Sequence, residues 1–154
     1  MSVWINRWFS YFLSLSLVTV ILVYTLDLPT LISGAPDLVG EYYYDNPVKS
    51  FVLDIFLIAA YISMGMILSN MLNISHDNQL GQISSLALAT GIISSMFMGI
   101  FLMQNNSSFF SRWFRTVGFG AVIYDIIIVC SVYVVMIQLN KTIINRNPSQ
   151  SNLL

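Results

Sequence analysis

The sequence predicts an all-α integral membrane protein with four transmembrane helices, and three observations carry that expectation. Of 154 residues, 56% are hydrophobic and 8% are charged, where a soluble domain carries about 25% charged residues. The mean hydropathy is +0.76. The few charges divide the chain into four long apolar runs, each near the ~20 residues a helix needs to cross a hydrocarbon core. Helices of a soluble bundle would each show a charged face, and these runs do not.

The first run, residues 9–26, lies between Arg7 and Asp27 with no charge inside it. It exceeds the ~7–15-residue apolar core of a signal peptide. The nearest cleavage-like site, Ser33-Gly34-Ala35, is followed by Pro36, so a retained helix is expected. The second run, 51–71, follows Lys49 and holds only Asp54; the third, 83–103, lies in an uncharged stretch between Asp77 and Arg112. The fourth, 117–139, follows Arg115 and is broken only by Asp125. Pro29, Pro36, Pro47 and Pro148 all fall outside these runs, as helix continuity requires.

Between the first two runs, loop 28–49 carries Tyr42-Tyr43-Tyr44, side chains suited to the headgroup layer or to a protein partner. A polar tail, 140–154, is expected to be extended or partner-bound. Trp4, Arg7, Trp8, Arg112, Trp113 and Arg115 sit at the ends of the runs and are expected to be interfacial anchors. In segment 105–115 aromatic and basic residues interleave, as in a helix lying along the membrane surface with guanidinium groups towards phosphate. Basic residues near the spans divide three against three between the two sides, so their count does not orient the chain. The acidic loop bearing Asp37, Glu41 and Asp45 favours cytoplasmic termini. The sequons at Asn105 and Asn106 would then be lumenal.

Six Lys/Arg against seven Asp/Glu leave no basic field for a nucleic acid. One cysteine, Cys130, and one histidine, His76, make no metal motif. With no nucleotide-binding loop or catalytic triad, neither a cofactor nor an enzymatic activity is expected.

Two features inside the runs invite a role. Asp125 lies roughly 12 Å deep at 1.5 Å per residue, where a carboxylate is costly unless protonated, paired or hydrated. Its partners are expected from other helices, because neither Tyr124 nor Tyr133 shares its helical face. Asp54, near the start of its run, is expected to be within reach of water or Lys49 and to mark a boundary. In the third run Ala87, Gly91, Ser95 and Gly99 recur every four residues, a groove in which another helix can approach closely. Asp54-Ile-Phe-Leu-Ile-Ala-Ala also aligns with Asp125-Ile-Ile-Ile-Val-Cys-Ser, an echo that fits a duplicated helical hairpin.

The stretches Tyr44-Asp-Asn-Pro-Val-Lys-Ser-Phe-Val-Leu-Asp54-Ile-Phe-Leu-Ile-Ala-Ala-Tyr61 and Phe110-Ser-Arg-Trp-Phe-Arg-Thr-Val-Gly-Phe-Gly-Ala-Val-Ile-Tyr-Asp125 resemble small polytopic membrane proteins encoded by large eukaryotic DNA viruses. The resemblance implies an assembly protein of a virion inner membrane under a capsid. Its partners would be the lipid bilayer and other protein subunits, capsid proteins among them. The expected function is therefore structural, since a single deep acid offers little to line a hydrated path. The alternative is a small channel or proton-coupled transporter using Asp125, with Asp54 at its entry.

Overall fold

A computed structural model describes residues 3–104 and 106–146. They form helices with no strand among the described residues. Four helices are long and apolar enough to cross a bilayer: Ile5–Thr25, Pro47–Met71, Gln79–Met103 and Phe119–Thr142. The chain is thus an integral multi-pass membrane protein of the all-α class.

Helix α1 (Val3–Val18) continues as a π-helical segment, Thr19–Thr25. The connection that follows is not an open loop. Pro29 sits in the first turn of α2 (Leu28–Ser33) and Pro36 in that of α3 (Pro36–Val39), where a missing N–H costs nothing. A second π turn, Gly40–Tyr44, leads to α4 (Pro47–Met71), again opened by proline. Asn78 caps α5 (Gln79–Met103) by accepting from the Gly81 amide at 2.9 Å. Ser108 does the same for α6 (Phe109–Val117), accepting from the Ser111 amide. Gly118, with φ at +58°, turns the chain from α6 into α7 (Phe119–Arg146). Residues 140–146, expected in the polar tail, prolong α7; 147–154 lie outside the described residues.

The four long helices alternate in direction. α5 packs between α4 and α7, and α7 packs on its other side against α1. α1 reaches α4 through the Tyr11 hydroxyl, which donates to the Ile55 carbonyl at 2.6 Å. Among the apolar core of Leu15, Ile58, Leu86, Val129 and Val132, small hydroxylated side chains are also buried: Ser10, Ser14, Ser69, Ser85, Thr90 and Ser94. Phe56, Met66, Leu88, Ile92 and Met96 point outward and are exposed. Buried hydroxyls together with outward apolar side chains suit helices in lipid, where close packing and hydrogen bonds between helices replace a hydrophobic drive.

The closest helix approach falls elsewhere than the stripe in the third run. A Cβ on Gly65 of α4 would lie 2.6 Å from Leu86 Cδ1 and 2.9 Å from Leu86 Cα. Of the stripe, Ala87, Gly91 and Ser95 are half-buried at the edge of the contact, and a Cβ on Gly91 would meet only Ile126 Cδ1, at 3.3 Å. Gly99 is exposed, with open space where its Cβ would be. The buried row runs one position away, through Leu86, Thr90 and Ser94. Within the chain, the closest approach of α4 and α5 is at Gly65 and Leu86 rather than along the small-residue stripe.

Candidate functional site: a two-acid aromatic chamber

α4 and α7 both run inward from the face that carries α6. Asp54 and Asp125 each lie about two turns from the start of their helix, ~10 Å along the axis. Both wall one cavity of about 200 Å³. On α4 the wall is Leu53, Asp54, Leu57, Ile58 and Tyr61; on α7 it is Tyr124, Asp125, Ile128 and Val129. Phe97 and Phe101 of α5 close the third side.

The roof comes from the two connections on that face. Tyr42 and Tyr43 descend from the π turn; Phe109, Phe110, Trp113 and Phe114 descend from α6. Tyr42 stacks on Phe109 with ring centroids 4.9 Å apart, and Phe109 on Trp113 at 6.0 Å. Phe101 of α5 stacks on Phe114 at 5.9 Å. Glu41 and Arg112 clip the halves together with two hydrogen bonds, Arg112 donating to Glu41 Oε2 at 2.8 Å and to Oε1 at 2.5 Å. That pairing holds the Glu41 carboxyl below the usual glutamate range. Burial pushes the Tyr42 and Tyr43 hydroxyls far above theirs, so both remain neutral.

Each acid spends one oxygen on the protein. Tyr42 donates to Asp54 Oδ1 at 2.8 Å. Ser94 donates to Asp125 Oδ2 at 2.6 Å, with the Tyr61 hydroxyl 3.5 Å from the same atom. Asp54 Oδ2 and Asp125 Oδ1 have no hydrogen-bond donor among the described residues. No Lys, Arg or His lines the cavity. The partners of Asp125 do come from other helices, α5 and α4, and Tyr124 turns away to share a 2.6 Å hydrogen bond with Tyr43.

Several expectations are corrected. Asp54 is not a boundary residue within reach of Lys49: it is 8% exposed and held by Tyr42. Trp113 is not an interfacial anchor but is 8% exposed, packed edge-on against Tyr124. Arg112, still partly exposed, pairs with Glu41. Arg115 is exposed and donates to the Gln104 carbonyl. Of the tyrosine triplet, only Tyr44 faces outward. The aromatic face of α6 packs on protein, against Tyr42 and Phe101. Arg7 and Trp8 remain exposed at the start of the first span; the side chain of Trp4 lies outside the described residues, as does Asn105. Exposed His76 lies 3.4 Å from Gln82 Nε2, and no cluster of three or more potential metal ligands occurs among the described residues.

Below the chamber, α5 and α7 are joined a second time. The Tyr133 hydroxyl donates to Gln82 Oε1 at 2.6 Å, and Gln82 Nε2 faces His76 Nδ1. Between the two cross-links lie Val129, Val132 and Leu86, all buried, and the Thr90 hydroxyl, buried without a hydrogen-bond partner. An apolar layer thus separates the chamber from the polar groups near the opposite face.

Fold and site together define a four-span membrane protein with a partly open, aromatic-lined cavity walled by two acids. No protein-family model matches the chain, and neither a curated protein nor a solved structure is similar to it.

Proposed function

We propose that this protein is a small cation-coupled carrier whose chamber takes up a proton or another monovalent cation from the face bearing α6. One observation carries the proposal: two carboxylates from separate spans wall one partly open cavity, each with an oxygen that has no protein donor among the described residues. Two like charges in a low-dielectric site repel, and uptake of one proton or one monovalent cation by the site relieves that repulsion. The expectation of a purely structural role rested on there being a single deep acid, and Asp54 removes that premise. The Leu86–Val129–Val132 layer favours a carrier with one closed side over an open pore.

The test is proton flux in proteoliposomes under an imposed pH gradient. Wild type is expected to exceed empty vesicles, with Asp54→Asn and Asp125→Asn each lowering the flux at least tenfold. Wild-type flux equal to that of empty vesicles overturns the proposal.

A second reading has its own support. Tyr42, Ser94 and Tyr61 pin the acids, and the Glu41–Arg112 pair clips the roof, as a rigid subunit of a larger assembly requires. In that reading the protein would lie in a membrane under a shell, such as a virion inner membrane with capsid partners. Co-purification of stoichiometric partners from a native membrane, without cation flux, would favour it.

A further inference from the structure

We propose that the chamber's ligand is a small primary ammonium ion, a protonated monoamine with only a few heavy atoms. This rests on the carrier proposal above and names its substrate class. The walls set the chemistry by exclusion. An anion is repelled by Asp54 and Asp125, and a zwitterion's carboxylate would find no Lys, Arg or His among the lining residues. A neutral apolar guest leaves two carboxylate oxygens unanswered. Calcium or magnesium needs about six to eight oxygen ligands, and no group of three or more His, Cys, Asp or Glu side chains is assembled anywhere among the described residues.

What remains is a cation that tolerates aromatic surroundings. An apolar lining disfavours a small, strongly hydrated ion relative to a weakly hydrated organic cation, and Tyr42, Phe109 and Trp113, stacked on one another, give the cavity such a lining. The free oxygens, Asp54 Oδ2 and Asp125 Oδ1, select further: they require N–H donors, which a primary ammonium supplies and a quaternary one lacks. The cavity's 200 Å³ is below the ~300–1,000 Å³ of drug-sized sites and equals about six or seven waters at ~30 Å³ each. A four-carbon amine suits that space.

The experiment is isothermal titration of the full chain in lipid nanodiscs at pH 8, with n-butylammonium, tetramethylammonium, potassium and 1-butanol as separate titrants. Saturable binding of n-butylammonium is expected, with each of the other three at least tenfold weaker. Asp54→Asn and Asp125→Asn should each weaken it at least tenfold. Phe109→Leu, which keeps both acids, should weaken it several-fold, and melting curves establish that all three variants fold. No binding to the wild type, or equal binding of 1-butanol, tetramethylammonium or potassium, overturns the assignment. If acid-dependent proton flux is present while n-butylammonium neither binds nor alters it, the amine assignment alone fails. If both are absent, the carrier proposal fails with it.

Discussion

Alanine at Gly65 tests the helix packing most directly, because its Cβ would stand 2.9 Å from the Cα of Leu86 and 2.6 Å from its Cδ1. The side-chain atom can rotate away, but the backbone atom cannot move unless α4 and α5 separate. Overpacking of this kind costs about 1–3 kcal/mol. An opposing term exists, since alanine is favoured over glycine inside a helix by ~1 kcal/mol. Gly99→Ala carries the same favourable term with open space around the new methyl. The difference between the two variants therefore isolates the clash, and Gly65→Ala is expected to be less stable than Gly99→Ala by about 1–3 kcal/mol. At roughly 2–4 °C per kcal/mol for a chain of this size, the melting points in detergent should differ by roughly 2–12 °C. Equal melting points for the two variants, or a lower one for Gly99→Ala, would refute the placement of the α4–α5 seam at Gly65.

Tyr42→Phe removes the donor to Asp54 Oδ1; leaving a buried acceptor unsatisfied costs ~1–3 kcal/mol, read as a lower melting point that Tyr44→Phe, on an exposed ring, does not share. Gly118→Ala places a Cβ at φ +58° and ψ −131°, a conformation essentially confined to glycine; a loss of about 1–3 kcal/mol is expected by the same measurement. Arg112→Gln should leave the melting point nearly unchanged, because the Glu41 pair is exposed, yet it should raise acrylamide quenching of Trp113 in a background lacking Trp4 and Trp8. Glu41 is held below its ordinary value of 4.5, so the clip's contribution is present above that value and is lost only as pH falls through the lower, folded value. Trp113 quenching should therefore stay flat from pH 7 down to 4.5 and rise below it; a rise that begins above 4.5 would contradict the pairing.

The spans were legible from sequence because a bilayer imposes a length and forbids charge, constraints that act on each segment alone. The observed helices start earlier than the apolar runs: α4 begins at Pro47 and α5 at Gln79. Proline and an asparagine cap start a helix regardless of hydropathy. Asp125 also stood out, since its cost depends only on depth. The chamber did not, because its meaning lies in pairs far apart in the chain: Asp54 with Tyr42, Asp125 with Ser94, Glu41 with Arg112. Phe109, Phe110 and Trp113 have the composition of a surface-lying helix, and only the presence of Tyr42 and Phe101 above the cavity turns that aromatic face inward. One signal did point to the site: the echo of Asp54-Ile-Phe-Leu-Ile-Ala-Ala in Asp125-Ile-Ile-Ile-Val-Cys-Ser.

That echo has a physical counterpart. α4 and α7 run in the same direction, and their acids sit at matching depths facing one cavity. Each is preceded by a short aromatic connection on the same face, Gly40–Tyr44 before α4 and Phe109–Val117 before α7, and those connections meet at the Tyr42–Phe109 stack and the Glu41–Arg112 pair. The chain divides naturally into two units, each a span, an aromatic connection and a span with an acid. The units differ in how tightly they close. α5 and α7 are joined by Ser94–Asp125 and Tyr133–Gln82, and α1 reaches α4 through the Tyr11–Ile55 bond. A carrier needs one seam that holds and one that can part. Under the carrier proposal, α5–α7 would be the seam that holds and α1–α4 the one that parts, so Tyr11→Phe should change transport kinetics more than it changes the melting point. An unaltered rate with a large fall in melting point would mean instead that Tyr11 is a structural tie.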